Sequence, residues 1–400
     1  MHPQRRRWLQ ALAGTAGAAA LPCWGAPAAA KAPSPVAAGS PAAPGPANLA
    51  DDPAADPVRR GRALVFPRDH GAHLGARTEW WYATGWLGLA LAPVLGFQLT
   101  FFRSRTGLAQ GLPGRFAPRQ LLFAHAAVTR LDPAGGPAVH RHAQRIARWN
   151  GDPGAPLAAA ALHDGAVHIG DWSFRRDGDT WRGRLPASDF ALDLALRRTQ
   201  PLLLQGDAGF SRKGPQETQA SHYYSEPQLA VAGQVTVDGR THAARPDDAA
   251  RAWLDQEWSE ELLHPEAVGW DWIGMNLLDG SALTAFQLRR ADGSALWAGG
   301  SLRRPDAAVQ PFEPDALRFA AGRAWPSPAT QARYPVEWTL DSPAGRHTVR
   351  ALADAQELDS QGSTGAIYWE GLSELLDASG RRVGLGYLEM TGYAGVLRLS

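Results

Sequence analysis

The sequence predicts an all-β protein built as two tandem antiparallel β domains. Three observations carry this. Phe190, Leu192, Leu194 and Leu196 occupy alternate positions, the period of a strand with one buried face. Asp-Gly pairs stand at 164, 177, 238, 279 and 292; Asp-Gly tolerates the positive φ values of type I′ turns and so closes hairpins. A set of residues recurs at one offset of 189: Trp81 with Trp270, Gly85 with Gly274, and Phe97-Gln98-Leu99 with Phe286-Gln287-Leu288. Such self-similarity reads as a duplicated unit. A single long sandwich fits the same spacing.

The N-terminus comes first. Arg5-Arg6-Arg7-Trp8-Leu9 precedes an Ala/Gly-rich apolar stretch that ends at Leu21. That stretch is too short to span a bilayer and has the length of a signal-peptide core, with small-residue cleavage motifs at 26–28 and 28–30. The paired arginines followed by an aromatic resemble a twin-arginine signal; an ordinary secretory signal is the alternative. Both predict export, with residues 1–30 as the leader and a periplasmic or secreted protein. Residues 31–60 hold seven prolines and nine alanines with no apolar period, the composition of a flexible or extended linker. Apolar order begins near Leu64. The domains are expected at 61–228 and 229–400. Val235-Thr236-Val237-Asp238-Gly239-Arg240-Thr241 is the cleanest hairpin. Asp247–Arg251 and Leu372–Leu376 are the best short helical pieces.

Composition excludes several classes. With 40 basic and 39 acidic residues there is no basic excess for nucleic acid. A single cysteine excludes a disulfide framework and a cysteine zinc site. No nucleophile elbow, P-loop or dinucleotide fingerprint occurs. His70-x-x-His73 and His140-x-His142 lack a third ligand nearby, so neither metal nor cofactor is expected.

Five motifs then appear in order: Arg77-Thr78-Glu79-Trp80-Trp81-Tyr82-Ala83-Thr84-Gly85, Ser221-His222-Tyr223-Tyr224-Ser225, Trp253-Leu254-Asp255-Gln256-Glu257-Trp258, Gly269-Trp270-Asp271-Trp272, and Gly386-Tyr387-Leu388-Glu389-Met390-Thr391-Gly392-Tyr393. Together they resemble the AttH-like secreted proteins, called predicted secreted hydrolases and related to the carotenoid 1,2-hydratases. The resemblance covers roughly 60–400. It implies two lipocalin-like (calycin) barrels, a hydrophobic or lipid-like ligand, and for many members a link to ABC transporters. The hydratase branch adds water to a carbon–carbon double bond and carries a stretch with histidine and tryptophan where this sequence has Asp255-Gln256-Glu257-Trp258. This sequence has Gln256 there and no histidine.

The candidate site follows from where acids and large aromatics are densest. Asp255 and Glu257, two apart on a strand, share one face and are the candidate catalytic pair; a loop of solvated acids is the alternative. Glu79, Trp80, Trp81, Tyr223, Trp258, Trp270, Asp271 and Trp272 are the candidate ligand-binding residues. For Glu79 the alternative is a buried carboxylate that hydrogen-bonds the barrel floor. The functional expectation is an exported protein that binds and processes a hydrophobic ligand, with a carrier and a hydro-lyase or hydrolase both open.

Overall fold

A computed structural model describes residues 55–108, 117–245, 249–260 and 263–397. The leader and most of the linker lie outside these residues. Nearly all regular structure is antiparallel strand, in two large sheets.

The first sheet has fourteen strands. Its centre is Thr78–Leu89, flanked by Ala92–Arg105 on one side and Arg251–Ser259 on the other. Beyond Arg251–Ser259 come the long strand Ala220–Val237, then Phe190–Arg197 and Thr180–Pro186. Its ends return to each other where Gln120–Arg130 and Val139–Trp149 lie against Ala166–Ile169. The sheet is thus a nearly closed barrel, and closure protects strand edges. Trp81, Phe97, Leu99, Trp172, Phe174 and Trp181 fill its core. Phe190–Arg197 buries alternate residues, as its pattern predicts.

The second sheet has ten strands and repeats the plan. Gly269–Leu277 is flanked by Ala282–Arg289 and Arg382–Met390, and Arg382–Met390 pairs with Ala366–Leu376. Ile273, Leu283, Trp338, Trp369 and Leu388 form a separate core.

All five Asp-Gly pairs sit between strands that pair with each other. At Asp238-Gly239 both φ values are positive, 48° and 75°, which is the type I′ requirement.

Three sequence expectations need correction. The expected division at 228/229 falls inside the continuous strand Ala220–Val237, and the change of sheet comes between Ser259 and Gly269. Leu372–Leu376 is not helical but ends the strand Ala366–Leu376. There Leu372 faces the first sheet while Leu375 faces the second core, so apolar residues on both faces hide the period of two. In Asp247–Arg251, residues 247 and 248 lie outside the described set, and Arg251 opens a strand. The repeat itself also shifts. Trp81 and Phe97 lie inside the first barrel, whereas Trp270 and Phe286 face the other barrel. A one-residue slip on a period-two pleat exchanges faces, and these pairs do lie on exchanged faces, so 189 is not the structural register, although the order of strands does repeat.

Candidate active site between the barrels

The central strands of both sheets are buried on both faces. One face fills the strand's own barrel and the other meets the facing barrel. On Thr78–Leu89, Trp80, Tyr82 and Trp86 point to the second sheet; on Gly269–Leu277, Trp270 and Trp272 point back. Trp253, Ala282, Phe286, Leu288, Leu372, Leu385 and Tyr387 complete an aromatic and aliphatic layer between the barrels. The Trp272 ring meets Tyr82 edge-on at 5.4 Å and Trp253 at 6.3 Å.

Carboxyl groups enter this layer from both sides. Trp253, Asp255 and Glu257 share the inter-barrel face of Arg251–Ser259, and their neighbours opposite are set by register. Asp255 lies between Tyr82 and Ser225, and Glu257 between Trp80 and Tyr223. Asp255 is 3% exposed. It accepts hydrogen bonds from Ser225 Oγ at 2.5 Å, Trp253 Nε1 at 2.7 Å and Tyr223 Oη at 2.8 Å. Tyr223 Oη in turn accepts from Trp272 Nε1 at 3.3 Å, so a polar chain crosses from the second barrel to Asp255. Burial pushes the Asp255 carboxyl up to about 7, against the three hydrogen bonds and with help from the charge of Glu257.

Glu257 accepts a hydrogen bond from Ser221 and pairs with Lys213 Nζ at 3.0 Å. Opposite them, Glu370 and Glu389 are cross-strand partners in the second sheet. Burial raises both above the ordinary glutamate range; the charge of Glu389 adds to the effect on Glu370, and those of Asp255 and Glu257 add to that on Glu389. Like charges directly opposite on a sheet repel, so the Glu370–Glu389 pair favours protonated carboxyls.

The predicted residues therefore separate by face. Tyr223, Asp255, Glu257, Trp270, Trp272 and the partly buried Trp80 come together between the barrels. Glu79, Trp81 and Trp258 do not: they point into the first barrel. There Glu79 is the centre of a buried polar floor. It holds His73 Nδ1 at 2.6 Å, Arg103 Nε at 3.0 Å and Gln256 Nε2 at 3.1 Å. The His73 ring stacks on Trp258 at 3.7 Å and also reaches Asp69 at 3.3 Å. The charges and hydrogen bonds of Glu79 and Asp69 raise the His73 pKa despite its burial. His70 is committed to Tyr224 Oη at 2.6 Å, and burial lowers it to about 3. Nδ1 of His70 and both ring nitrogens of His73 are thus engaged by protein partners. Asp271 faces the second core, paired with Arg289 at 2.8 Å and hydrogen-bonded by Gln287 and Tyr393.

Sequence reasoning missed Lys213, Glu370 and Phe286 as site residues. Glu389 stands in the motif Gly386–Tyr393, where its neighbours in sequence give no sign of a site role. Lys213 had a signal: apart from Lys31 it is the only lysine of the chain. A surface groove of about 650 Å³ lined by Leu64, Phe66, Arg198 and Leu204 lies away from all these acids.

The residues that build this layer all lie within the span of one family model. The AttH-like model matches residues 57–393. The chain belongs to the AttH-like family. An AttH protein of Nitrosomonas europaea has a solved structure that is 45% identical, with a TM-score of 0.74, covering 84% of this chain and 99% of its own. Kievitone hydratase from Nectria haematococca is similar in fold, at 14% identity and a TM-score of 0.61 over 86% of this chain and 97% of its own. CghA follows at 13% identity and a TM-score of 0.50, over 86% of this chain and 96% of its own. Among curated proteins no relative matches the sequence. The AttH-like fold thus extends over both barrels and the layer between them.

Proposed function

We propose that the layer between the barrels binds an apolar unsaturated molecule and adds water across its carbon–carbon double bond, or removes it in reverse. The observation that carries this is Asp255, a buried carboxyl raised to about 7 and set among aromatic walls. General acids work best with a pKa near the working pH. In the forward direction the Asp255 proton passes to one alkene carbon and the π pair forms the new C–H bond. The cation left on the other carbon faces indole and phenol rings, whose quadrupoles attract it. Water adds there, and its surplus proton goes to the Glu257 carboxylate and then returns to Asp255 on the same strand face. The barrels exclude bulk water, which strengthens each electrostatic contact. That a hydratase shares the fold supports the reading, while the absence of histidine in 253–258 separates this site from the carotenoid branch. We further infer, from the leader and the family resemblance, that the protein works outside the cytoplasm beside an ABC transporter; the N-terminal residue and compartment of the expressed protein test the first part.

The test of the chemistry is incubation with acyclic isoprenoid alkenes in H₂¹⁸O, read by mass spectrometry. Wild type is expected to give a product with one ¹⁸O. Asp255→Asn is expected to lose roughly 100-fold or more of that turnover while binding, followed by tryptophan fluorescence, persists. Equal turnover in the variant overturns the assignment of Asp255; binding with no product in wild type leaves a carrier.

A further inference from the structure

Of the forty basic residues only Lys31 and Lys213 are lysine; the rest are arginine. The described ion pairs follow the same rule. Their cations are arginines throughout, except for His73 and for Lys213 on Glu257. A pair serving only to tie two segments is therefore built here with a guanidinium, whose planar fork can grip both carboxylate oxygens. Lys213 breaks the rule at a particular place. It is 9% exposed, and its Nζ lies 4.7 Å from the ring centre of Tyr223 in the first barrel and 4.3 Å from that of Phe286 in the second.

An ammonium has three donors and no acceptor. Glu257 takes one, at 3.0 Å, and Glu257 is itself shared with Ser221. The two ring faces attract the charge but offer no lone pair in line with the remaining N–H bonds. A point donor at the seam of the barrels thus keeps two N–H bonds, enough to hold a ligand oxygen. We propose that Lys213 is the polar anchor of the inter-barrel site and holds a neutral carbonyl oxygen of the ligand, so that the ligand class is an unsaturated apolar carbonyl compound and not a pure hydrocarbon. The inference rests on the inter-barrel reading above. A ligand carboxylate is disfavoured because Asp255, Glu257, Glu370 and Glu389 crowd the same layer. Apolar pockets commonly fix orientation through a few such polar groups, and a carbonyl held at Lys213 would set the alkene at a fixed distance from Asp255.

The experiment uses two probes on one carbon skeleton, geranylacetone and the corresponding diene without the oxygen. Their affinities for the full chain are read by tryptophan fluorescence for wild type, Lys213→Met and Lys213→Arg, with thermal melts to check folding. Wild type is expected to prefer the ketone by about tenfold or more, since a hydrogen bond to a charged donor is worth that much. Lys213→Met should abolish the preference, bringing the affinity for the ketone down to that for the diene. Lys213→Arg should keep part of it, and decides the matter if the methionine variant does not fold. Equal affinity of wild type for both probes, or a parallel loss of both in the variants, overturns the anchor while leaving inter-barrel binding in place. No binding of either probe overturns the anchor and the inter-barrel binding reading together.

Discussion

Asp255 and Glu79 show how a buried carboxyl is shifted in opposite directions by its partners. Glu79 is fully buried beside Arg103 and His73, and their charges hold its carboxyl low against burial. Asp255 has hydrogen bonds but no cation, and burial wins. This difference has a consequence for stability with a definite sign. An Asp with pKa raised from 3.8 to about 7 binds more protons folded than unfolded across that window. Folding stability from this group is therefore present below about 4 and is lost as pH rises toward 7, by on the order of 4 kcal/mol in all. His70, lowered to about 3, works in the other direction between 3 and 6.5, so the comparison is made by difference. The gap in unfolding free energy between wild type and Asp255→Asn should move against wild type from pH 4 to pH 7.5, measured by urea titration. A constant gap would mean that Asp255 is ionised throughout.

At the scale of the strand, much was legible and one thing was not. Alternation in Phe190–Arg197 and the placing of Asp255 and Glu257 on one face follow from the period of two, and the Asp-Gly turns from tolerance of positive φ. What the sequence hides is which face of a doubly buried strand meets the neighbouring barrel. Trp253-Leu254-Asp255-Gln256-Glu257-Trp258 is buried at every position, so polarity gives no cue. Trp258 and Trp253 look alike in sequence, yet they lie on opposite sides of the sheet. For the same reason Trp81 and Trp270 align by letter and differ by face. Lys213 was hidden differently, standing in a short irregular stretch between the strands Phe210–Arg212 and Ala220–Val237 with no motif around it. Gly274 marks the inter-barrel face directly. A Cβ there would lie 2.4 Å from the Trp272 ring and 3.2 Å from that of Trp253. Neither indole can move far, since each donates a hydrogen bond within the Tyr223–Asp255 chain. Gly274→Ala should cost about 1–3 kcal/mol of stability by overpacking and also disturb Asp255. The paired readout is the denaturation midpoint and the turnover of the same variant; a neutral substitution would show that the indoles are not fixed.

Over the described residues the protein is two separately cored barrels, and the proposed chemistry belongs to the layer where they meet. Each core is complete without the other, so the layer between them is free to hold acids, an amine and orienting hydrogen bonds that a core would not tolerate unpaired. This arrangement makes function more fragile than fold. Gly96 tests that directly, because its backbone lies against the second barrel. A Cβ at this position would approach Tyr387 Oη to 2.7 Å and Leu372 Cβ to 2.8 Å, both members of the inter-barrel layer. Gly96→Val adds a branched side chain where the barrels touch, and a β-branched residue suits the strand Ala92–Arg105 itself. The first barrel should therefore keep its own core while the two barrels are pushed apart. Wild type is expected to melt in one calorimetric transition, because the shared layer couples the cores. Gly96→Val is expected to melt in two, with far-ultraviolet circular dichroism unchanged at low temperature and turnover lost, since Tyr223, Asp255 and Glu257 would no longer face Trp272 and Phe286. A single transition at the wild-type temperature with full activity would show that the barrels accommodate the side chain and that the site does not depend on their contact.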